Sequence, residues 1–113
     1  MSIEQHTALV TAFAVSARAF SVSSAAMSGW PSCMRANWAR QTAFWLAARH
    51  GIPQRAIAAA TGRSVNCVCT SVRTVNDRLS IPRWDAHWCA CHAAAVAAFD
   101  AQHDRAAAAL IAR

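Results

Sequence analysis

The chain has no tyrosine and no lysine, and it holds only 3 glycines, 3 prolines and 5 acidic residues in 113 positions. So few glycines and prolines leave long stretches without a helix breaker, and nowhere do apolar and polar residues alternate as they would along a half-buried strand. The small number of carboxylates and the lack of a glycine-rich phosphate loop exclude paired acid–base work and nucleotide chemistry, so no enzyme is expected. No window reaches the roughly 20 apolar residues of a membrane span. Glu4, Arg18 and the lack of an amino-terminal basic cluster argue against a signal peptide. A cytoplasmic location without membrane contact is the expectation.

With 56% hydrophobic and 14% charged residues, the chain is too apolar for a disordered one. Its length suits one compact domain, and the class is all-α. Alanine supplies much of the apolar share, so the core must lean on 5 tryptophans, 4 phenylalanines and the aliphatic residues. Three parts are expected: an amino-terminal helix and linker over 1–32, a helix-turn-helix unit over 33–81, and a carboxy-terminal helix over 82–113. In the first part, Ser2 and Gln5 form a capping box, and Ile3, Val10, Phe13, Ala17 and Phe20 share one helical face. The Ser28-Gly29-Trp30-Pro31-Ser32 stretch reads as the linker. The last helix starts near Pro82 and runs through Arg105 or beyond, with Trp84, Trp88, Cys91, Ala95 and Phe99 along one stripe. Ala106–Ala109 with Leu110 and Ile111 reads as a close-packing or fraying tail.

The densest signal lies between Ile57 and Val68. A small residue where two helices touch, a glycine four positions on to allow the turn, and a β-branched residue six further on are the packing plan of a helix-turn-helix. Ala58, Gly62 and Val68 occupy those places. Ile52-Pro53 opens the first helix, with proline at the first helical position, and Ile57 points inward. Gly62 takes the positive φ that ends it. Ser64 caps the second helix, and Val65, Val68, Val72, Val75 and Leu79 give that helix an inner stripe. Arg63 stands after the turn glycine, where an apolar residue is common; it either loosens the turn or contacts a phosphate.

The opposite face, over 64–78, presents Ser64, Val65, Asn66, Cys69, Thr70 and Arg73. A major groove admits one α-helix, and these residue types can read base edges there. Asn66 suits adenine, Arg73 suits guanine, and Val65 with the Thr70 methyl suits thymine methyls. A merely solvated helix face is the alternative. Charge favours DNA: the 35–83 segment carries eight arginines against the single acid Asp77, whereas the remainder is slightly acidic. Gln54, Arg55, Arg63 and Arg78 are the expected contacts to the DNA backbone.

Arg40-Gln41-Thr42-Ala43-Phe44-Trp45-Leu46-Ala47, followed by the helix-turn-helix, resembles the DNA-binding domain of the bacterial replication initiator DnaA, a Trp-repressor-like helical module. The resemblance spans about residues 36–79. It implies a backbone contact for Arg40, a role for Arg63 at the turn, and reading by the Ser64–Arg73 helix. Val65-Asn66-Cys67 stands where that family carries Asp-His-Thr. The small bacterial regulators that use this module, including activators of gene transfer agents, are similar too. That likeness implies transcriptional activation of phage-like genes beside a protein that engages RNA polymerase.

Cys33, Cys67, Cys69, Cys89 and Cys91, with His87 and His92, invite a metal reading. However, His87 with Cys91 and Cys89 with His92 offer two ligands per helix face, where zinc needs about four. Neither metal nor other cofactor is expected, and the odd count fits reduced thiols. Double-stranded DNA is the expected partner, with a homodimer or protein partner held through the terminal helices. The competing expectation is an interaction module or RNA polymerase accessory factor that uses the helix-turn-helix shape without specific readout.

Overall fold

Among the described residues, capping side chains set four of the six helix starts. The computed structural model describes residues 1–29 and 33–111, and among these the fold is all-α. Helix α1 (Ile3–Ala19) opens on the expected capping box, in which the Ser2 hydroxyl accepts from the Gln5 amide while the Gln5 side chain accepts from the Ser2 amide. A short helix, α2 (Ser24–Ser28), is capped by Ser23. Next come α3 (Met34–Arg49), α4 (Gln54–Thr61), α5 (Val65–Ser80) and α6 (Ala86–Ile111). At the start of α6 the Asp85 carboxylate accepts from the Trp88 amide at 2.9 Å, so this helix begins four residues after Pro82.

One expectation needs correction here. Residues 21–29 are not a plain linker, because Ser23 supplies an N-cap and α2 forms inside them; Trp30-Pro31-Ser32 lies outside the described residues. The tail from Ala106 continues α6, with the side chains at 106–108 and 110–111 also outside them.

Helix α3 packs against every other helix. Its alanines allow this: Ala36, Ala39, Ala43 and Ala47 are all inaccessible or nearly so, and a helix edge without bulk lets neighbours approach closely. Ala8, Ala12 and Ser16 give α1 the same narrow buried edge. The expected α1 stripe is therefore rotated. Small residues face α3, and Ile3 and Val10 stand 86% and 58% exposed. Two continuous clusters fill the interior: Leu9, Phe44, Leu46, Ile57, Val68 and Phe99 in one, and Phe20, Met27, Trp38, Val75 and Trp88 in the other. On α5 burial is confined to the middle turns, where Val68 and Val75 are fully covered, while Val65 and Leu79 near its ends stay 41% and 49% exposed. A crossing contact between helices spans only a few turns, so the longer valine stripe is not all core.

A polar junction joins α3 and α6 in the interior. Thr42 of α3 and Nδ1 of His92 on α6 share a hydrogen bond of 3.0 Å. The imidazole stacks on Trp88 at 4.7 Å and meets the edge of Trp45 at 4.9 Å. Burial, aided by the charge of Arg49, pushes the His92 pKa down to about 4 from 6.5, so the ring is neutral at pH 7. Between those values the unfolded chain binds the proton and the folded one does not. His92 therefore contributes stability that is complete above about pH 6.5 and is lost as the pH falls toward 4. Urea unfolding of the wild type should lose up to about 1.4 kcal/mol per pH unit through this window from His92 alone. His92→Gln, which keeps an acceptor for Thr42, should flatten that slope; an unchanged slope would reject the assignment. A second outcome concerns the Ser16 hydroxyl, which is buried on α1 without a hydrogen-bond partner. Ser16→Ala removes that orphan and should raise unfolding stability by about 1 kcal/mol.

Candidate nucleic-acid interface

Helices α4 and α5, with the turn between them, occupy the segment read as a helix-turn-helix. Ile57 and Ala58 of α4 and Val68 of α5 are buried in the same cluster. Gly62 ends α4 in the left-handed conformation with φ 70°. A Cβ there would meet open space, so the backbone angle rather than crowding calls for glycine. The Gly62 and Arg63 amides both return to the Ala58 carbonyl, closing the turn. Ser64 then caps α5, its hydroxyl accepting from the Cys67 amide at 3.0 Å. Pro53 proves to be the N-cap of α4 and not its first helical residue, a shift of one position.

The six expected base readers divide by position. Asn66, Thr70 and Arg73 are all exposed and fall at i, i+4 and i+7, one stripe on the side of α5 away from Val68 and Val75. Their side chains make no hydrogen bond among the described residues. Cys69 is half-buried beside the stripe, Val65 lies on its flank, and the Ser64 hydroxyl is engaged in capping. Asp77 extends the same stripe by one turn and is exposed. Sequence reasoning counted this acid in the net charge but did not place it on the reading face, although the i+11 spacing from Asn66 contains that information.

Two of the residues expected at the DNA backbone are engaged within the protein. Arg40 is only 4% exposed. Its Nε donates to the Met27 carbonyl at 2.9 Å, and Nη2 donates to Ala26 at 3.0 Å and Gly29 at 2.7 Å. It therefore closes the carboxy-terminal end of α2 and cannot reach a phosphate. Burial, and next the nearby charge of Arg63, hold its pKa below the usual arginine value. Arg78 donates to the Gln41 side chain at 2.7 Å and lies among Trp84, Trp88 and Trp38, at 4.6, 5.5 and 6.0 Å from the ring centres. Burial lowers its pKa as well. This arginine fastens α5 to α3 and α6 through cation–π contact.

Of the remaining expected contacts, Arg55 is exposed at the start of α4. Gln54 is half-buried and borders a cleft of about 350 Å³ with Trp45, Arg49, Val72 and Asn76. There the Trp45 indole donates to Asn76 Oδ1 at 2.9 Å. Arg63 donates to the Gly29 carbonyl at 2.6 Å, tying the turn to α2. Arg49 pairs with Asp100 across to α6. The eight arginines of the 35–83 segment thus include several committed within the protein, and Arg35, Arg55, Arg73 and Arg83 are the ones exposed without an ion pair among the described residues.

The thiols are dispersed. Cys91 Sγ lies 3.8 Å from His87 Nε2 along one helix face, and Cys89 Sγ lies 3.3 Å from the Trp84 carbonyl. Among the described residues no three His, Cys, Asp or Glu side chains converge as metal ligands. No helix among them is long and apolar enough to cross a membrane.

The internal arginines generate a stability outcome. Arg40→Ala takes the guanidinium from the Ala26 and Met27 carbonyls, Gly29 keeping its bond from Arg63, and should cost about 3 kcal/mol or more in urea unfolding. Arg55→Ala, at an exposed position, should stay within about 0.5 kcal/mol of wild type. Similar small losses for both would contradict the buried role of Arg40. No family model, curated protein or solved structure matches this chain.

Proposed function

We propose that this protein is a sequence-specific DNA-binding regulator, more in keeping with transcription than with replication, and that α5 enters the major groove. One observation carries the reading. The second helix of a helix-turn-helix holds an uncovered stripe of Asn66, Thr70 and Arg73, side chains able to read base edges and without internal hydrogen bonds. Asn66 pairs with adenine N6 and N7, Arg73 with guanine O6 and N7, and the Thr70 methyl meets a thymine methyl. Each bidentate pair discriminates by about 1–3 kcal/mol. Arg55 and Arg35 add contacts to phosphate, and Asp77 repels phosphate at the far end of the stripe, which fixes how α5 lies in the groove.

With at most four uncommitted arginines in the 35–83 segment, the electrostatic share is modest. The plot of log K against log salt should have a slope no steeper than about −4. Full affinity then calls for two copies or a companion protein, and the exposed Ile3 on α1 offers an apolar contact for either.

Selection from a randomised duplex pool at about 150 mM salt tests the reading. The wild type should enrich one short shared motif. Asn66→Ala with Arg73→Ala should lose that motif, at a cost of at least tenfold in affinity for the selected site, and should keep its weak general binding. Enrichment that survives the double substitution would reject α5 as the reader. No enrichment by the wild type would favour a module that binds protein.

A further inference from the structure

Beneath the helix-turn-helix lies a second cleft, of about 340 Å³, between α1, α2 and the last turn of α4. Its walls are Leu9, Phe13 and Ala17 from α1, Met27 from α2 and Ala60 from α4. The volume falls within the roughly 300–1,000 Å³ of small-molecule sites. Among the described residues no Asp, Glu, Lys or Arg borders it, so that lining holds no permanent charge to pair with an ionic ligand. Two polar side chains at the rim, His6 and Ser24, make no hydrogen bond among the described residues, while the Ser28 and Thr61 hydroxyls are spent on carbonyls of their own helices. An apolar body with one neutral polar end matches this lining. A protein partner does not: 11 of the described residues border the cleft, fewer than the about 20–30 a side of a standard protein interface.

The cleft also touches both ends of a hydrogen-bonded bridge. On one side, Met27 and Ser28 line it, and the carbonyls of 26–29 hold two guanidinium groups. Arg40 and Arg63 donate to the same Gly29 oxygen, at 2.7 and 2.6 Å. On the other side, Ala60 and Thr61 line it and run directly into Gly62 and Arg63. Helix α2 has five residues, too few for intrinsic stability, so its position depends on these bonds and on Met27 packing. A molecule seated against Met27 and Ala60 would touch both α2 and the segment leading into the turn, which the Gly29 carbonyl links through Arg63.

We infer that this cleft binds a small, neutral, apolar molecule with one hydroxyl or amide end, and that binding is transmitted through the Gly29–Arg63 contact to the turn between α4 and α5. The inference rests on the cleft and the bridge, and it holds whether or not α5 reads DNA. Its test is nuclear magnetic resonance of the ¹⁵N-labelled full chain titrated with two probes, p-cresol and 1-hexanol. At least one probe should give saturable shifts at the Met27 and Ala60 amides and, with the same midpoint, at the Arg63 Nε–H and the Cys67 amide. Ala14→Leu and Ala60→Leu fill the cleft from exposed positions and leave the core untouched. Each should weaken binding at least tenfold with the rest of the spectrum unchanged. Arg63→Gln should keep the cleft shifts and abolish the response at Cys67. The proposal is overturned if neither probe saturates, if both leucine variants bind as the wild type does, or if the cleft saturates while Arg63 and Cys67 do not respond.

Discussion

A helix that touches five others has no face to spare, and this constraint on α3 organises the molecule. Its alanines admit α1 closely, its Phe44 and Leu46 anchor one cluster, and its Trp38 anchors the other. The polar groups buried on it must then find internal partners. Thr42 finds His92, Gln41 finds Arg78, and Arg40 finds the end of α2. Through these bonds α3 positions α5, α6 and α2 at once, so the helix-turn-helix is held by polar links from the central helix as well as by Ile57 and Val68.

The same constraint changes what the basic composition means. Eight arginines between positions 35 and 83 look like a phosphate footprint when counted along the sequence. In the fold, a planar guanidinium with five donors is also the side chain best suited to gather carbonyls or lie between indoles. Arg40 does the first and Arg78 the second. Arg63 binds α2 and Arg49 binds Asp100. A lysine could not replace Arg40, because its single ammonium lacks the fork that spans three carbonyls. Net charge therefore overstates the surface available to a polyanion, and part of the arginine content is explained by the packing of the interior.

What could be read from the sequence follows from the range of the interactions involved. The all-α class, the turn at Gly62, the Ser64 cap, the Ser2–Gln5 box and burial of Ala58 and Val68 depend on residues within a few positions of one another, and local chemistry identified them. The exposed stripe of Asn66, Thr70 and Arg73 follows from periodicity alone. The misplacements share one cause. Which face of α1 is buried depends on α3, whose edge is narrow, so alanines went inward where bulkier residues were expected. The fates of Arg40 and Arg78 depend on partners 11 to 14 and 37 residues away. Helix α2 lacks any apolar period and is recognisable only from the Ser23 cap and the cations that close its end.

The positions of Arg40 and Arg63 on one carbonyl carry a further physical consequence. Two like charges converging on Gly29 repel each other, and burial of Arg40 strengthens that repulsion because little water lies between them. The arrangement persists because the carbonyls at the end of α2 present the negative end of the helix to both cations. Separating α2 from Arg63 relieves the repulsion but leaves Arg63 without its carbonyl, and keeping α2 in place does the reverse. The bonds that close α2 thus also tie it to the turn before α5, so the short helix and the turn are positioned together by one carbonyl.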